Sequence, residues 1–318
     1  MSAVITPFEG TELFNTASFN NRISQINTGF SYISNPNLLD NWYFGNPVNQ
    51  RGKTEYTGNS YYIDRWRSWD GDSSSLSVVS GGIKIAGTLY QYLEPVVFEE
   101  LWGKTVAISL LLADGTLYTD SFVLKKADWY SVHINAHGLN SIQLGISNDD
   151  FENRNNNFFR VRPATVGTLS DTILAAKLEL GSQQTLAHQE GDRWVLNEIP
   201  DYGEQLRRCQ RYCKVYGSIP PNYGQPFFCA GFYRVDLKCV QLTMVCPEFR
   251  EVPVVAILDG DWALFDGENV YNIGEINVTA YMPGVVTLGI TSPGNSFSNG
   301  KILMLFANSG KLILSADL

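Results

Sequence analysis

A chain of 318 residues that is 44% hydrophobic is long enough for two ordinary domains, each burying its own core, and too apolar for wholesale disorder. Aromatic residues reach 13% (16 Tyr, 17 Phe, 7 Trp) while charged residues are only 17%, a balance that favours strands and the weakly charged polar surfaces of extracellular β-proteins and glycan binders. The net charge of -9 argues against nucleic acid, which needs clustered Lys and Arg, and against an anionic membrane surface.

The opening MSAVITPFEG lacks the basic start and apolar stretch of a secretory signal, so synthesis in the cytosol is expected. No apolar run approaches the length of a membrane span, and no membrane insertion is expected. Phe19, Ile23, Ile26, Phe30 and Ile33 then alternate in steps of four and three, the a/d spacing of a heptad seam. Thr16 or Ser18 can cap this helix, and Pro36 stops it. Two heptads do not hold chains together unaided. Residues 1–34 are therefore expected to be an N-terminal anchor and trimerisation helix. The plainer alternative is one amphipathic helix packed on the next domain, and Gly29 inside the seam counts in its favour.

From 35 to 190 the pattern changes to short alternating strands, among them 75–79, 82–86, 90–93, 105–112 and 141–146. Turn signals separate them at Ser80-Gly-Gly82, at Ala113-Asp-Gly115 and along the polar run 148–157. Many short strands with few helical stretches indicate an all-β fold, a jelly roll or β-sandwich. A linker with a helix is expected over 191–214, because Tyr202 to Lys214 carries Leu206, Cys209 and Cys213 on one face. Residues 215–318 read as a second, smaller β-sandwich, with strands at 254–258, 275–281, 284–290 and 301–306. The last strand, 311–314, is expected to fold back across a tight turn at Asn308-Ser-Gly310.

All five cysteines fall between Cys209 and Cys246, an odd set in one region and a poor disulfide framework. Cys209 and Cys213 have no histidine near them in sequence to complete a zinc site, so buried thiols are expected.

The stretch 37–52 (NLLDNWYFGNPVNQRG), followed by Tyr62-Ile-Asp-Arg-Trp66, resembles the opening of modules in phage and prophage tail fibres. Ala176-Lys-Leu-Glu-Leu-Gly181 and 198–212, with its Leu-Arg-Arg-Cys-Gln-Arg-Tyr core, are similar to the hinge that follows such modules. Residues 8–15 (FEGTELFN) and Phe19-Asn-Asn-Arg-Ile23 are similar to the anchors of such fibres. The resemblance covers most of residues 1–213. It implies a first module folded as a jelly roll similar to carbohydrate-binding modules, and a homotrimeric receptor-binding or tail-tip protein. No family binding residue can be carried over. Jelly-roll carbohydrate modules often hold a structural calcium, which stays open here, and no other cofactor is expected. Asp70-Gly-Asp-Ser-Ser74 resembles half a calcium loop, but Ser75 and Gly81 stand where that loop needs Gly and Glu.

Sugar rings are bound by exposed aromatic faces beside groups that hydrogen-bond hydroxyls. The densest such cluster is Tyr61 to Asp70. Read as a strand, it puts Tyr62, Asp64, Trp66 and Ser68 on one face and Tyr61, Ile63, Arg65 and Arg67 on the other, with Trp66 turned inward. Arg67, Trp69 and Asp70 sit where that strand gives way to a loop and are the first ligand-binding candidates. Trp129 and Tyr130, after the loop at 125–128, are the second. Trp262, in the turn Asp259-Gly-Asp-Trp262, is the third, suited to receptor contact on a tip loop or, more plainly, to anchoring that turn.

No catalytic residue is expected. The chain lacks a Gly-x-Ser-x-Gly elbow, a phosphate loop and a dinucleotide glycine pattern. Glu99-Glu100 and Asp149-Asp150 are adjacent pairs that point opposite ways in extended chain, unlike the facing carboxylates of a glycosidase. His133 and His137 on one strand would stand about 13 Å apart, too far to share a metal. The expected protein is thus a homotrimer that docks on tail or baseplate proteins through its N-terminus and binds bacterial surface polysaccharide from the virion. A structural virion part without ligand and a glycan depolymerase are the rivals.

Overall fold

The computed structural model describes residues 34–68, 74–125, 129–134, 142–149, 156–163, 171–217 and 229–316. The seam residues Phe19, Ile23, Ile26, Phe30 and Ile33 lie outside them. The fold is mostly β, built from antiparallel sheets, and it divides into two compact units. Of the described residues, the first comprises those in 34–47, 53–62 and 66–202, and the second those in 48–52, 63–65 and 203–316. The division falls inside the stretch read from sequence as a linker.

In the first unit a six-stranded sheet runs β1 (Glu55–Thr57), β2 (Ser75–Val79), β3 (Gly82–Ala86), β10 (Ile173–Leu180), β5 (Thr105–Leu112), β6 (Leu117–Val123). β5 is buried from Val106 to Leu112, as its unbroken apolar run requires of a central strand. β6 is the edge, and Thr119, Asp120 and Ser121 keep it polar. A four-stranded sheet runs β4 (Leu89–Tyr92), β9 (Asn156–Pro163), β8 (Ile142–Asp149), β7 (Trp129–Ile134). A hairpin of β11 (Ala187–Glu190) and β12 (Arg193–Leu196) occupies the start of the expected linker. One helix, α1 (Pro95–Leu101), falls within the stretch expected to hold only strands. Its two valines disfavour helix, but Pro95 at its first turn is an ordinary start signal.

The stretch read as a strand over 61–68 is a tight reversal instead. Tyr62 N–H donates to the Trp66 carbonyl (2.9 Å), Tyr61 and Arg67 form an antiparallel bridge, and Arg65 takes a positive φ of 70° at the bend. Alternation therefore fails, and Tyr62 through Trp66 are all buried. Trp66 does turn inward. It is 0% exposed, packs edge-on against Phe44 and Phe159, and donates Nε1–H to the Asn41 carbonyl (2.9 Å).

The second unit holds α2 (Tyr202–Gln210), which buries Gln205 and Cys209, and one eight-stranded sheet. The sheet order is β17 (Val270–Asn272), β16 (Val254–Phe265), β20 (Ile302–Ser315), β14 (Cys229–Arg234), β15 (Cys239–Val245), β19 (Val285–Ile290), β18 (Ile276–Met282). β13 (Cys213–Gly217) also pairs with β20. The expected turn at Asn308-Ser-Gly310 does not form: 302–315 is one strand, paired along β16 from Val254↔Ser315 to Phe265↔Met304. Its fully buried positions run Leu303, Leu305 and then Leu312, Leu314, all 0% exposed, so the inward phase slips by one residue between them. The slip is taken up by bulges where Gly260 (φ 95°) faces Gly310 (φ 143°), conformations that suit glycine. A glycine that permits a bulge and one that permits a turn look alike in sequence.

The five cysteines are free thiols, four buried and Cys229 half-buried. Burial raises the pKa of Cys229, Cys239 and Cys246, which holds them as thiols rather than reactive thiolates.

The β16–β17 turn is clamped by Asp266, whose side chain is 3% exposed. Its carboxylate accepts hydrogen bonds from Lys301 Nζ (2.6 Å), Asn269 N (2.8 Å), Tyr271 OH (2.7 Å) and Glu268 N (3.0 Å). Those donors, Lys301 foremost, hold its pKa well below the usual carboxylate value. A depressed carboxylate stabilises the fold above the unfolded-state pKa, and that contribution is lost as pH falls from there toward the folded value. Urea midpoints measured from pH 7 down to pH 2 should fall less steeply in Asp266→Asn than in the wild type, from a lower starting value at pH 7.

Candidate functional site

Of the residues singled out from sequence, Arg67 has the clearest setting. Its backbone is held on both sides, bridging to Tyr61 and exchanging hydrogen bonds with Tyr90 of β4 (Arg67 N to Tyr90 O 2.9 Å; Tyr90 N to Arg67 O 2.8 Å). Buried Trp66 and Ser68 flank it, so the half-buried Arg67 side chain is set by backbone rather than by chance. The guanidinium carbon lies 5.2 Å from the Tyr61 ring centroid and 5.7 Å from that of Tyr92. Both are within cation–π range. Nη2 donates to Asn59 Oδ1 at 3.1 Å, and Asn59 is exposed.

Tyr92 is buried beneath the guanidinium (6% exposed), so what a ligand can meet is a flat cation, the half-buried Tyr61 ring and the Asn59 carboxamide. Such a set can stack on the apolar face of a sugar ring and hydrogen-bond its hydroxyl edge. It contains no nucleophile paired with a base. Tyr92 and Asn59 were not legible as partners, since they reach Arg67 through the bridge to β4 and the reversal at 62–66.

Trp69 and Asp70 follow Arg67 directly in the chain but lie outside the described residues. Trp129 and Tyr130 open β7, where they pair with Ser147 and Ile146. β7 is one edge of the four-stranded sheet, whereas Arg67 adds beyond β4 at the other. Four strand spacings, roughly 19 Å, separate them, so the first and second candidates are not one site. Trp262 lies in strand β16 rather than in a turn, is 7% exposed, and belongs to the core of the second unit with Leu264, Leu288 and Leu305. Its burial does not suit receptor contact. The signal that misled was Asp259-Gly-Asp, which marks the bulge in β16.

Among the described residues no three His, Cys, Asp or Glu side chains gather as a metal site requires, and no helix is long and apolar enough to cross a membrane. The fold and site define a mostly β chain with a guanidinium–aromatic surface feature. Comparison with protein-family models, curated proteins and solved structures gives no match to this chain.

Proposed function

We propose that the protein is a phage receptor-binding protein that attaches the virion, as a homotrimer, to a bacterial cell-surface glycan without catalysing a reaction on it. The observation that carries this reading is the Arg67 platform, its guanidinium beside the Tyr61 ring and the exposed Asn59 carboxamide and backed by buried Tyr92, a set of groups suited to sugar contact. The resemblance of residues 1–213 to tail-fibre modules supports it. In this reading the two larger sheets of the first unit are the layers of a jelly roll similar to carbohydrate-binding modules, and the second unit is the distal β-sandwich tip. The segment 1–34 docks on tail or baseplate proteins and carries the trimer seam.

Self-association has a second support. Phe232 and Ile302 are paired across β14 and β20 and stand 48% and 68% exposed, with Val270 at 60% on the same sheet. Apolar side chains presented in rows suit contact with further copies of the chain. Three copies also multiply the weak affinity of one sugar site when they engage one polymer.

The test is retention of the full chain on immobilised bacterial polysaccharides, with native mass measured alongside. Arg67→Ala removes the cation and its charge-assisted hydrogen bonds, and should weaken retention about tenfold or more while leaving the trimer mass unchanged. Unchanged retention by Arg67→Ala, or a clean monomer at micromolar concentration, contradicts the reading. Shortened polysaccharide chains after incubation would show a depolymerase instead.

A further inference from the structure

The second unit carries an open cavity of about 960 Å³ along α2, lined in part by Arg207, Arg208, Arg211 and Arg250. Glu204 and Glu248 are its carboxylates, and Pro247 with the 4% exposed Phe249 gives it an apolar wall. In a chain with 32 acidic and 23 basic residues, four guanidinium groups against two carboxylates is a local reversal of sign. The cluster is also held together. Arg207 and Arg211 are one helical turn apart, and Arg250 reaches the same place because its backbone N–H donates to the Arg211 carbonyl (2.9 Å).

Glu204 is already committed, since its two carboxylate oxygens accept Arg207 Nε (2.9 Å) and Nη2 (2.7 Å). Arg250 is the informative member. Its Nη1 is buried and makes no hydrogen bond among the described residues, and its ion-pair partner, Glu251 Oε1, stands 3.5 Å away. A buried guanidinium N–H without an acceptor costs folding free energy. Like charges gathered in one concavity add to that cost and focus a positive potential inside it. An anion bound there satisfies the Arg250 N–H and offsets the gathered positive charge together.

We infer that this cavity of the second unit is a binding site for the anionic groups of a surface polymer, a carboxylate or a phosphate that arginine can grip with two parallel hydrogen bonds. The polymer as partner rests on the attachment reading above, while the anion chemistry rests on the cavity. It also gives the two units different tasks: the Arg67 platform takes neutral rings, and the arginine cavity takes charge.

The experiment measures retention of the full chain on polyglycerol phosphate, on polygalacturonate and on the neutral polymer dextran, across a salt series. One of the two anionic polymers should be held despite the protein's overall negative charge, with affinity falling as salt rises. Retention on phosphate alone or on the uronate alone identifies the source of the anion. Arg207→Gln, at a side chain 70% exposed and so tolerated by the fold, should lower that retention about tenfold, as should Arg250→Gln. Arg67→Ala should leave it unchanged, so failure of the sugar platform and failure of this site are separable. Indifference of the wild type to both polyanions, or equal retention by Arg207→Gln and the wild type, overturns the inference.

Discussion

Lys177→Met should destabilise the first unit by about 3–5 kcal/mol, read as a shift of its urea midpoint at unchanged slope. Lys177 and Glu179 are two apart on β10 and so share a face, and both side chains are buried, at 1% and 0% exposure. The ammonium is 3.5 Å from Glu179 Oε2 and donates to Ser34 Oγ (2.7 Å) and Thr185 Oγ1 (2.9 Å). Glu179 in turn accepts Thr185 N–H at 2.7 Å and the Thr185 hydroxyl. Methionine fills nearly the same volume, so the loss is electrostatic: it strands a buried carboxylate. The double variant Lys177→Met, Glu179→Gln should therefore recover most of the stability. A double variant as weak as the single one would show that packing, not charge, is at stake. Burial lowers the Lys177 pKa more than Glu179 raises it. With the folded value below the unfolded one, the stability from this group rises as pH climbs toward the unfolded lysine range, and Lys177→Met should lose that rise.

Trp66→Ala should cost about 3–5 kcal/mol and remove glycan retention with it. The indole fills the space between Phe44 (centroids 5.3 Å apart) and Phe159 (6.2 Å), where no smaller side chain reaches both. Its loss leaves a cavity beneath the reversal that carries Arg67. Trp66→Phe separates the two effects. It keeps an aromatic ring there but removes the donor to the Asn41 carbonyl, and should cost about 1–3 kcal/mol with the Arg67 bridge to Tyr90 intact. Thermal and urea unfolding give the first number, and polysaccharide retention at a temperature where both variants are folded gives the second. Full retention by folded Trp66→Ala would show that the platform does not depend on this support.

The mostly β character was legible because strand signals are local: 75–79 and 82–86, and the short apolar run 105–112, are strands at the expected residues. The turn at Gly81-Gly82 was readable for the same reason, needing a positive φ between two apolar runs. What misled was local signal with two meanings. Gly260 and Gly310 permit a bulge, not a turn, and only the pairing of β16 with β20 distinguishes these. The Tyr61–Ser68 run has the composition of a strand, yet the Arg65 backbone bends it back on itself. Nothing local to Lys177 and Glu179 marks them as a buried pair. Their role depends on Ser34 and Thr185, which the fold brings to them from elsewhere in the chain. The arginine cavity was invisible for a similar reason, since Arg250 joins the helix arginines through one backbone hydrogen bond across 39 positions.

The attachment reading is tested most directly by applying the full-length chain to an array of bacterial surface polysaccharides and recording which are retained. Retention of a defined subset, reduced in Arg67→Ala, is the expected result. A wild-type chain that folds, assembles as a trimer and retains no glycan on the array would contradict it, and would mark the protein as a structural part of the particle.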